Sequence, residues 1–293
     1  MHALASGLDS AVGELSFEAS CTIMRVSEKS TAMEQASVVQ NNTKVYSSPD
    51  VVDHYANYSQ LQAPEKTIFD LLDPLLPGMK MLDIGVGGGR TTAFFAPRVK
   101  EYIAIDLSEN MLETCRIKFG SRLPNAQFLT GDARHLAAFS AGYFDFVLFS
   151  FNGIDNVPHG ERRHVLREVR RVCRAGGFFC FSSHNLLHLP HLLKPHFTLH
   201  PVKFLRNIAG TLRLIKNNRE QIKKMRSADC IEIYDDVHDF GLYTSYIRPS
   251  AQLAQLENCG FTNARLFTLK EGALLKASQY EQNTEPWIYY LCN

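Results

Sequence analysis

The segment "MLDIGVGGGRTT", residues 81–92, places an acid, Asp83, ahead of glycines at 85, 87, 88 and 89. Glycines after an apolar run let a ligand approach the backbone, and the known uses of such a turn differ in spacing. A dinucleotide fingerprint, G-x-G-x-x-G, would need its third glycine at position 90, which is Arg. A phosphate-cradling P-loop would need Lys and then Ser or Thr after the glycines, and Arg90-Thr91 does not supply them. The pattern is instead D-x-G-x-G-x-G. An acid facing the cleft suits a cationic ligand group better than a pyrophosphate, so Asp83 points to an amine nearby.

Other residues offer acid–base chemistry. His184, in "FSSHNL", follows the fifth apolar run, and His159 opens the helix after the fourth; both are candidate catalytic residues. The cluster "YDDVHDF" gathers Asp235, Asp236, His238 and Asp239, and it reads as a solvated acidic turn rather than a cation site. Tyr243 and Tyr246 suit either an acceptor pocket or plain packing. The seven cysteines are scattered without C-x-x-C spacing, so no disulfide framework, zinc site or other metal centre is predicted, and a reducing compartment is expected.

These residues need a scaffold, and the chain of 293 residues, 45% hydrophobic and 21% charged, can build one. "PEKTIFDLLDPLL" reads as a helix, "MKMLDIGV" as a buried strand and "RTTAFFAP" as the helix after it. The alternation continues with strands "EYIAID", "AQFLTGD", "FDFVLFSF" and "FFCFSS". Ser108 is placed to cap the helix "ENMLETCRIKF". Val165, Leu166, Val169, Val172 and Cys173 form the apolar stripe of a further helix, which Gly176 and Gly177 are expected to end. Five such units predict an α/β fold with a doubly wound parallel sheet, whose ligands bind outside the carboxyl ends of the strands.

The expected organisation is a flexible tail over residues 1–45, a ligand-binding core over 46–183, an insertion over 184–245 and a C-terminal completion of the sheet over 246–293. The N-terminus lacks a basic stretch followed by an apolar run, and nothing approaches about 18 continuous apolar residues. A cytoplasmic protein without membrane spans is expected.

With these motifs in order, "LDIGVGGGR" resembles the first motif of class I S-adenosylmethionine-dependent methyltransferases, and later segments match that family in order and spacing over residues 78 to 183. The resemblance implies a Rossmann-like sheet of seven strands, mostly parallel, whose last strand runs antiparallel. It also implies S-adenosyl-L-methionine as cofactor. Gly85, Gly87 and Gly89 would let the backbone approach its methionine half, with Asp83 facing the ammonium group. Asp106 would accept hydrogen bonds from the ribose hydroxyls, Leu107 and Met111 would flank the adenine, and Asp132, with the Ala133 backbone beside it, would accept from the adenine amino group. Phe149, Ser150, Phe151 and Asn152 would form the wall between cofactor and acceptor.

The acceptor is less constrained. Between residues 188 and 230 nine Lys or Arg face two acids, Glu220 and Asp229, a local charge of +7 in a chain of net +1, so the remainder carries −6. A helical lid this basic suits an anionic acceptor, a carrier phosphate or peripheral contact with a membrane surface. Leu205, Ile208, Leu212 and Ile215 give its main helix an apolar stripe, as in a packed lid helix or an interfacial one. No [DNS]-P-P-[FYW] and no Pro-Cys occurs, which argues against base methylation, and DNA is not an expected partner. RNA is disfavoured because no RNA-binding domain pattern accompanies the basic segment. The expected activity is methyl transfer to oxygen or nitrogen of a small-molecule or glycan-precursor acceptor. An RNA methyltransferase and a non-catalytic S-adenosylmethionine-binding protein are the alternatives.

Overall fold

The computed structural model describes residues 37–235 and 241–293, and residues 41–293 form one compact unit. Nine strands are present among the described residues: β1 Lys80–Ile84, β2 Glu101–Asp106, β3 Ala126–Thr130, β4 Phe144–Phe149, β5 Cys173–His184, β6 Cys230–Tyr234, β7 Tyr243–Ile247, β8 Arg265–Phe267 and β9 Trp287–Cys292. The helices are α1 Pro49–Ala56, α2 Ala63–Leu72, α3 Thr92–Phe95, α4 Glu109–Phe119, α5 His159–Val172, α6 Leu189–Leu192, α7 Pro201–Asn217, α8 Arg219–Lys224 and α9 Pro249–Asn258.

Seven strands form one sheet in the order β3-β2-β1-β4-β5-β9-β8. β1 pairs in parallel with both β2 and β4, and only β9 runs antiparallel to its neighbours β5 and β8. The order reverses at β1, so the ends of β1, β2 and β4 open a crevice on one edge. Strands buried on both faces read as continuous apolar runs. One apolar layer packs Val165, Leu166, Val169 and Val172 of α5 onto Leu82, Val147, Phe179 and Phe181. The opposite layer packs Ile68 and Leu72 of α2, Phe95, and Leu112 of α4 onto Met81, Phe146 and Tyr289.

The sequence expectations hold for the sheet and shift at several ends. Ser108 caps α4 through its hydroxyl, 3.4 Å from the Met111 amide. α3 spans only four residues and continues as a single 3-10 turn, Ala96–Arg98, because Pro97 has no amide hydrogen to extend an α-helix. α5 ends at Val172 rather than at the glycine pair. Cys173 is already extended, and Gly176 (φ +71°) lies in a bulge where β5 inserts extra residues opposite β4.

The expected tail divides. Residues 1–36 lie outside the described residues, whereas 41–46 are helical and Asn42 is buried, its amide donating to the Asn156 carbonyl at 3.1 Å. The inserted segment carries α6, α7, α8 and a separate hairpin of β6 and β7, with its own small core of Leu186, Leu189, Leu214, Ile231, Ile233 and Tyr246.

The glycine turn has a further neighbour. A Cβ on Gly88 would stand 2.6 Å from the Tyr55 carbonyl oxygen and 2.7 Å from Ala56 Cα, so α1 closes directly on the turn. Gly88→Ala is expected to lift α1 while sparing the sheet. Hydrogen exchange should quicken in residues 49–58 and stay unchanged in β4 and β5.

Candidate active site

The glycine turn lies between β1 and β2. Gly85, Gly87 and Gly89 all have positive φ, and a Cβ on Gly89 would meet the Phe119 ring at 2.5 Å, so two constraints select glycine there. Asp83 is buried beneath the turn, where Thr91 Oγ1 (2.6 Å) and Tyr102 OH (2.5 Å) both donate to its Oδ2. Burial outweighs these bonds and lifts the Asp83 carboxyl from 3.8 to about 6.

At the end of β2, Asp106 accepts one backbone bond on each oxygen, from Gly87 N and Ser108 N, both at 2.9 Å. Each oxygen keeps acceptor capacity, so the side chain can still take hydroxyl donors. Leu107 stands exposed beside it and Met111 is buried. Asp132 differs. Arg134 N donates to its Oδ1 (2.9 Å) and Nη2 to its Oδ2 (2.6 Å), and the single Nε–H is shared between the two oxygens (3.1 and 3.0 Å). Asp132 is thus paired with Arg134, with Glu161 as that guanidinium's second partner at 2.5 Å. Ala133 is buried next to it, and the Phe149 ring lies under Gly85, 3.3 Å from where a Cβ would be.

Past β4 a buried polar network begins. Arg90 grips Glu65 of α2 with both terminal nitrogens, Nη2 at 2.6 Å, and Nη2 also donates to Ser150 Oγ at 3.0 Å. Tyr289 OH of β9 is 2.7 Å from Glu65 Oε1 and 2.6 Å from Gln62 Oε1. Burial pushes the Glu65 carboxyl up, but Arg90 more than offsets it and holds Glu65 below the usual carboxylate range. Phe151 sits over the Arg90 guanidinium at 5.0 Å, in contact with Tyr55, Tyr58 and Trp287.

Phe151 (φ +54°) and Asn152 (φ +63°) are successive non-glycine residues in the left-handed region, a strain of about 1–3 kcal/mol each that the surrounding contacts hold in place. This turn carries Asn152 and Asp155 toward the end of β5. His184 Nδ1 lies 2.8 Å from Asp155 Oδ2, and its backbone amide donates to the same oxygen at 2.6 Å. With Nδ1 donating to a carboxylate, Nε2 carries the lone pair. Asn152 Nδ2 approaches Nε2 at 3.3 Å, while Asn152 Oδ1 is buried without a partner. Tyr246 and Trp287 flank the imidazole, with ring centroids at 4.9 and 5.9 Å.

Asp155 owes its ionisation to Arg162. Both side chains are fully buried, with Arg162 Nη1 2.6 Å from Asp155 Oδ1, and Arg162 Nη2 donates to Ser183 Oγ (2.8 Å) and Gln252 Oε1 (2.6 Å). Burial raises the Asp155 carboxyl, but Arg162 and then the bonds from His184 prevail and hold it below its ordinary value.

The remaining sequence candidates fall elsewhere. His159 starts α5, its amide donating to Glu232 Oε1 at 2.8 Å and its Nδ1 buried without a partner, and it does not join the His184 group. Tyr243 packs on Tyr234, and Asp235 is buried with Tyr246 OH 3.4 Å from its Oδ2. Asp236, His238 and Asp239 lie outside the described residues. Sequence reasoning missed Asp155, Arg162, Glu65 and Tyr289. An acid at a short turn after β4, and an arginine on the inner face of an otherwise apolar helix stripe, were the available signals.

Removing Arg162 strands a buried carboxylate. Arg162→Met is expected to destabilise the protein by about 3–5 kcal/mol at neutral pH. Because the folded Asp155 carboxyl lies below its unfolded value, this contribution is present above the unfolded pKa and fades as pH falls through the folded one. Urea unfolding of both proteins at pH 7 and in acid should therefore show a gap that narrows in acid.

A family model described as "Methyltransferase domain" matches residues 81–177, the stretch from β1 into β5. Over 128 residues the chain is 32% identical to a demethylmenaquinone methyltransferase of Paenarthrobacter aurescens, covering 44% of this chain and 47% of that protein. Over 105 residues it is 35% identical to a ubiquinone/menaquinone biosynthesis C-methyltransferase of Idiomarina loihiensis, covering 34% and 40%. The chain thus spans less than half the length of either relative. In fold it is similar to an S-adenosylmethionine dependent methyltransferase from Mesorhizobium loti, with a TM-score of 0.54 and 16% identity over 78% of this chain and 97% of that one. Residues 81–177 thus match a methyltransferase domain, and the sheet they build has the fold of S-adenosylmethionine-dependent methyltransferases.

Proposed function

We propose that this protein methylates a ring carbon of a small aromatic acceptor bearing an ionisable hydroxyl, with His184 as general base. The observation that carries the reading is the His184–Asp155 pair, a histidine whose tautomer is fixed by a buried carboxylate and whose Nε2 stands among Asn152, Tyr246 and Trp287. The name of the Idiomarina loihiensis relative supports carbon over the oxygen or nitrogen expected from sequence.

The cofactor residues fit this role. The turn at Gly85, Gly87 and Gly89 presents backbone without side chains, Asp106 retains acceptor capacity at the end of β2, and Asp83 stands below the turn as a partner for an ammonium group. Bound S-adenosylmethionine supplies a methyl carbon on a positively charged sulfur, open to in-line displacement.

The protein's own part is to prepare the nucleophile. His184 Nε2 takes the hydroxyl proton, which leaves the acceptor a phenolate with negative charge shared onto its ortho and para carbons. Asp155, kept anionic by Arg162, stabilises the imidazolium that forms. Once the ring carbon carries its fourth bond, a base must remove its hydrogen to restore aromaticity, and the neutral imidazole regenerated by release of the first proton serves again. Tyr246 and Trp287 give a flat acceptor apolar faces to lie against.

The test is transfer of labelled methyl to hydroxylated aromatic acceptors, with the product bond assigned by NMR. A carbon-bound methyl is expected. His184→Ala should lower kcat by about 10²–10⁴-fold at neutral pH, and the deficit should shrink as pH passes the acceptor's own pKa. Asp155→Asn should act in the same direction, with cofactor affinity retained in both. An oxygen-bound methyl, label found in RNA, or full activity in His184→Ala would each reject the reading.

A second expectation concerns the cofactor. Asp83 titrates near 6 in the free protein. A bound ammonium lowers that value, so cofactor binding between about pH 5 and 6 should release protons, and above about pH 7.5, where Asp83 is already ionised, it should release none. Titration calorimetry in two buffers of different ionisation enthalpy measures this directly, and Asp83→Asn should abolish the release.

A further inference from the structure

The inserted helix α7 carries an apolar face that none of the described residues covers. Leu214 is its buried residue, and it points to the small core shared with β6 and β7. Leu212 is two positions away, about 200° around the helix, and Val202, Leu205 and Ile215 fall on the same outward side as Leu212. The exposures of Val202, Leu205 and Leu212 are 68%, 66% and 61%, and Phe197 and Leu199 in the approach to the helix stand out further still. Isolated exposed apolar residues are ordinary, but a contiguous stripe marks an interaction surface.

Charge selects its partner. Arg206 and Arg213 lie along one flank of the stripe, Lys216 lies within it, Lys203 lies on the Leu214 side, and Arg219, Lys223, Lys224 and Arg226 follow directly. A second copy bound about a two-fold axis would set this cationic patch against itself, and like charges facing one another oppose that contact. An anionic bilayer offers the opposite: an apolar interior for the leucines and a negative surface for the lysines and arginines. Among the described residues no helix is long and apolar enough to cross a membrane, so contact would be in the plane of the surface.

We propose that α7 docks the protein on anionic membrane surfaces, its Val202, Leu205, Leu212 and Ile215 face entering the interface and its basic flank facing the headgroups. The segment leaves β5 just past His184 and returns through the hairpin that places Tyr246 on the His184 ring, so docking holds the acceptor side of the crevice close to the bilayer. The inference rests on this surface alone and is independent of the reaction proposed above.

Sedimentation of the full chain with vesicles tests it. Binding is expected to phosphatidylcholine vesicles containing phosphatidylglycerol, weakly or not at all to phosphatidylcholine alone, and with marked loss at roughly 0.5 M salt. Leu205→Asp combined with Leu212→Asp should weaken binding about tenfold or more, and Arg206→Glu combined with Lys216→Glu should do the same. All four side chains are exposed, so unfolding midpoints should stay near that of the unaltered protein, and methyl transfer to a water-soluble acceptor should persist. No sedimentation with anionic vesicles, or undiminished binding by both double variants, would overturn the proposal. So would a dimer that the leucine variants dissolve in the absence of vesicle binding, which would assign the face to a second copy.

Discussion

A cation with no access to water sets the terms for the turn after β4 and the end of β5. Arg162 is the largest fully buried side chain, and a buried guanidinium is tolerated only when paired and hydrogen-bonded. Its partners come from three places in the chain: Asp155 after β4, Ser183 in β5 and Gln252 in α9. The same contacts that satisfy the charge therefore fix the turn after β4 against the end of β5. Asp155 spends one oxygen on Arg162 and Ser183 and the other on His184, so the histidine's orientation and tautomer follow from how the arginine is neutralised.

A parallel arrangement holds the glycine turn. Arg90 follows the glycine turn directly, and its pairing with Glu65 ties the turn to α2, to Ser150 and to Tyr289. The two networks meet in the turn after β4, where Ser150 belongs to one and Asn152 approaches the other. Between them Phe151 and Asn152 adopt left-handed backbone. Strain of that kind persists only where neighbours over-determine the conformation, and here Arg90, Tyr55, Tyr58 and Trp287 surround Phe151 while Ser182 Oγ accepts from the Asn152 amide at 2.8 Å. A shift on either side is therefore felt at the strained turn.

The inserted segment follows a different logic. It builds a small core of its own from Leu186, Leu189, Leu214, Ile231 and Ile233, and Tyr246 of that core reaches the His184 ring. Residues 188–230 within it carry +7 against −6 over the rest of the chain, so basic residues are concentrated in this stretch rather than spread evenly. Such asymmetry gives the molecule a directional field.

Local spacing made part of this legible in advance. The glycines at 85, 87 and 89, the acid ending β2, the strand order and the apolar stripe of α5 are properties of short windows, in which backbone sterics and the 3.6-residue period act without reference to the rest of the fold. His184 was legible because strand ends in such sheets line the crevice. The pairings were not. Asp155 and His184 are 29 residues apart and Glu65 and Arg90 are 25 apart, and nothing in either window states which loop each will meet. The window around Asp132 does not state that Arg134 pairs with its carboxylate, and the leucines of α7 announce an apolar face without stating what covers it. Periodicity determines which side of an element is apolar or charged; only the tertiary arrangement decides what stands opposite, because burial and pairing energies depend on distances across the fold rather than along the chain.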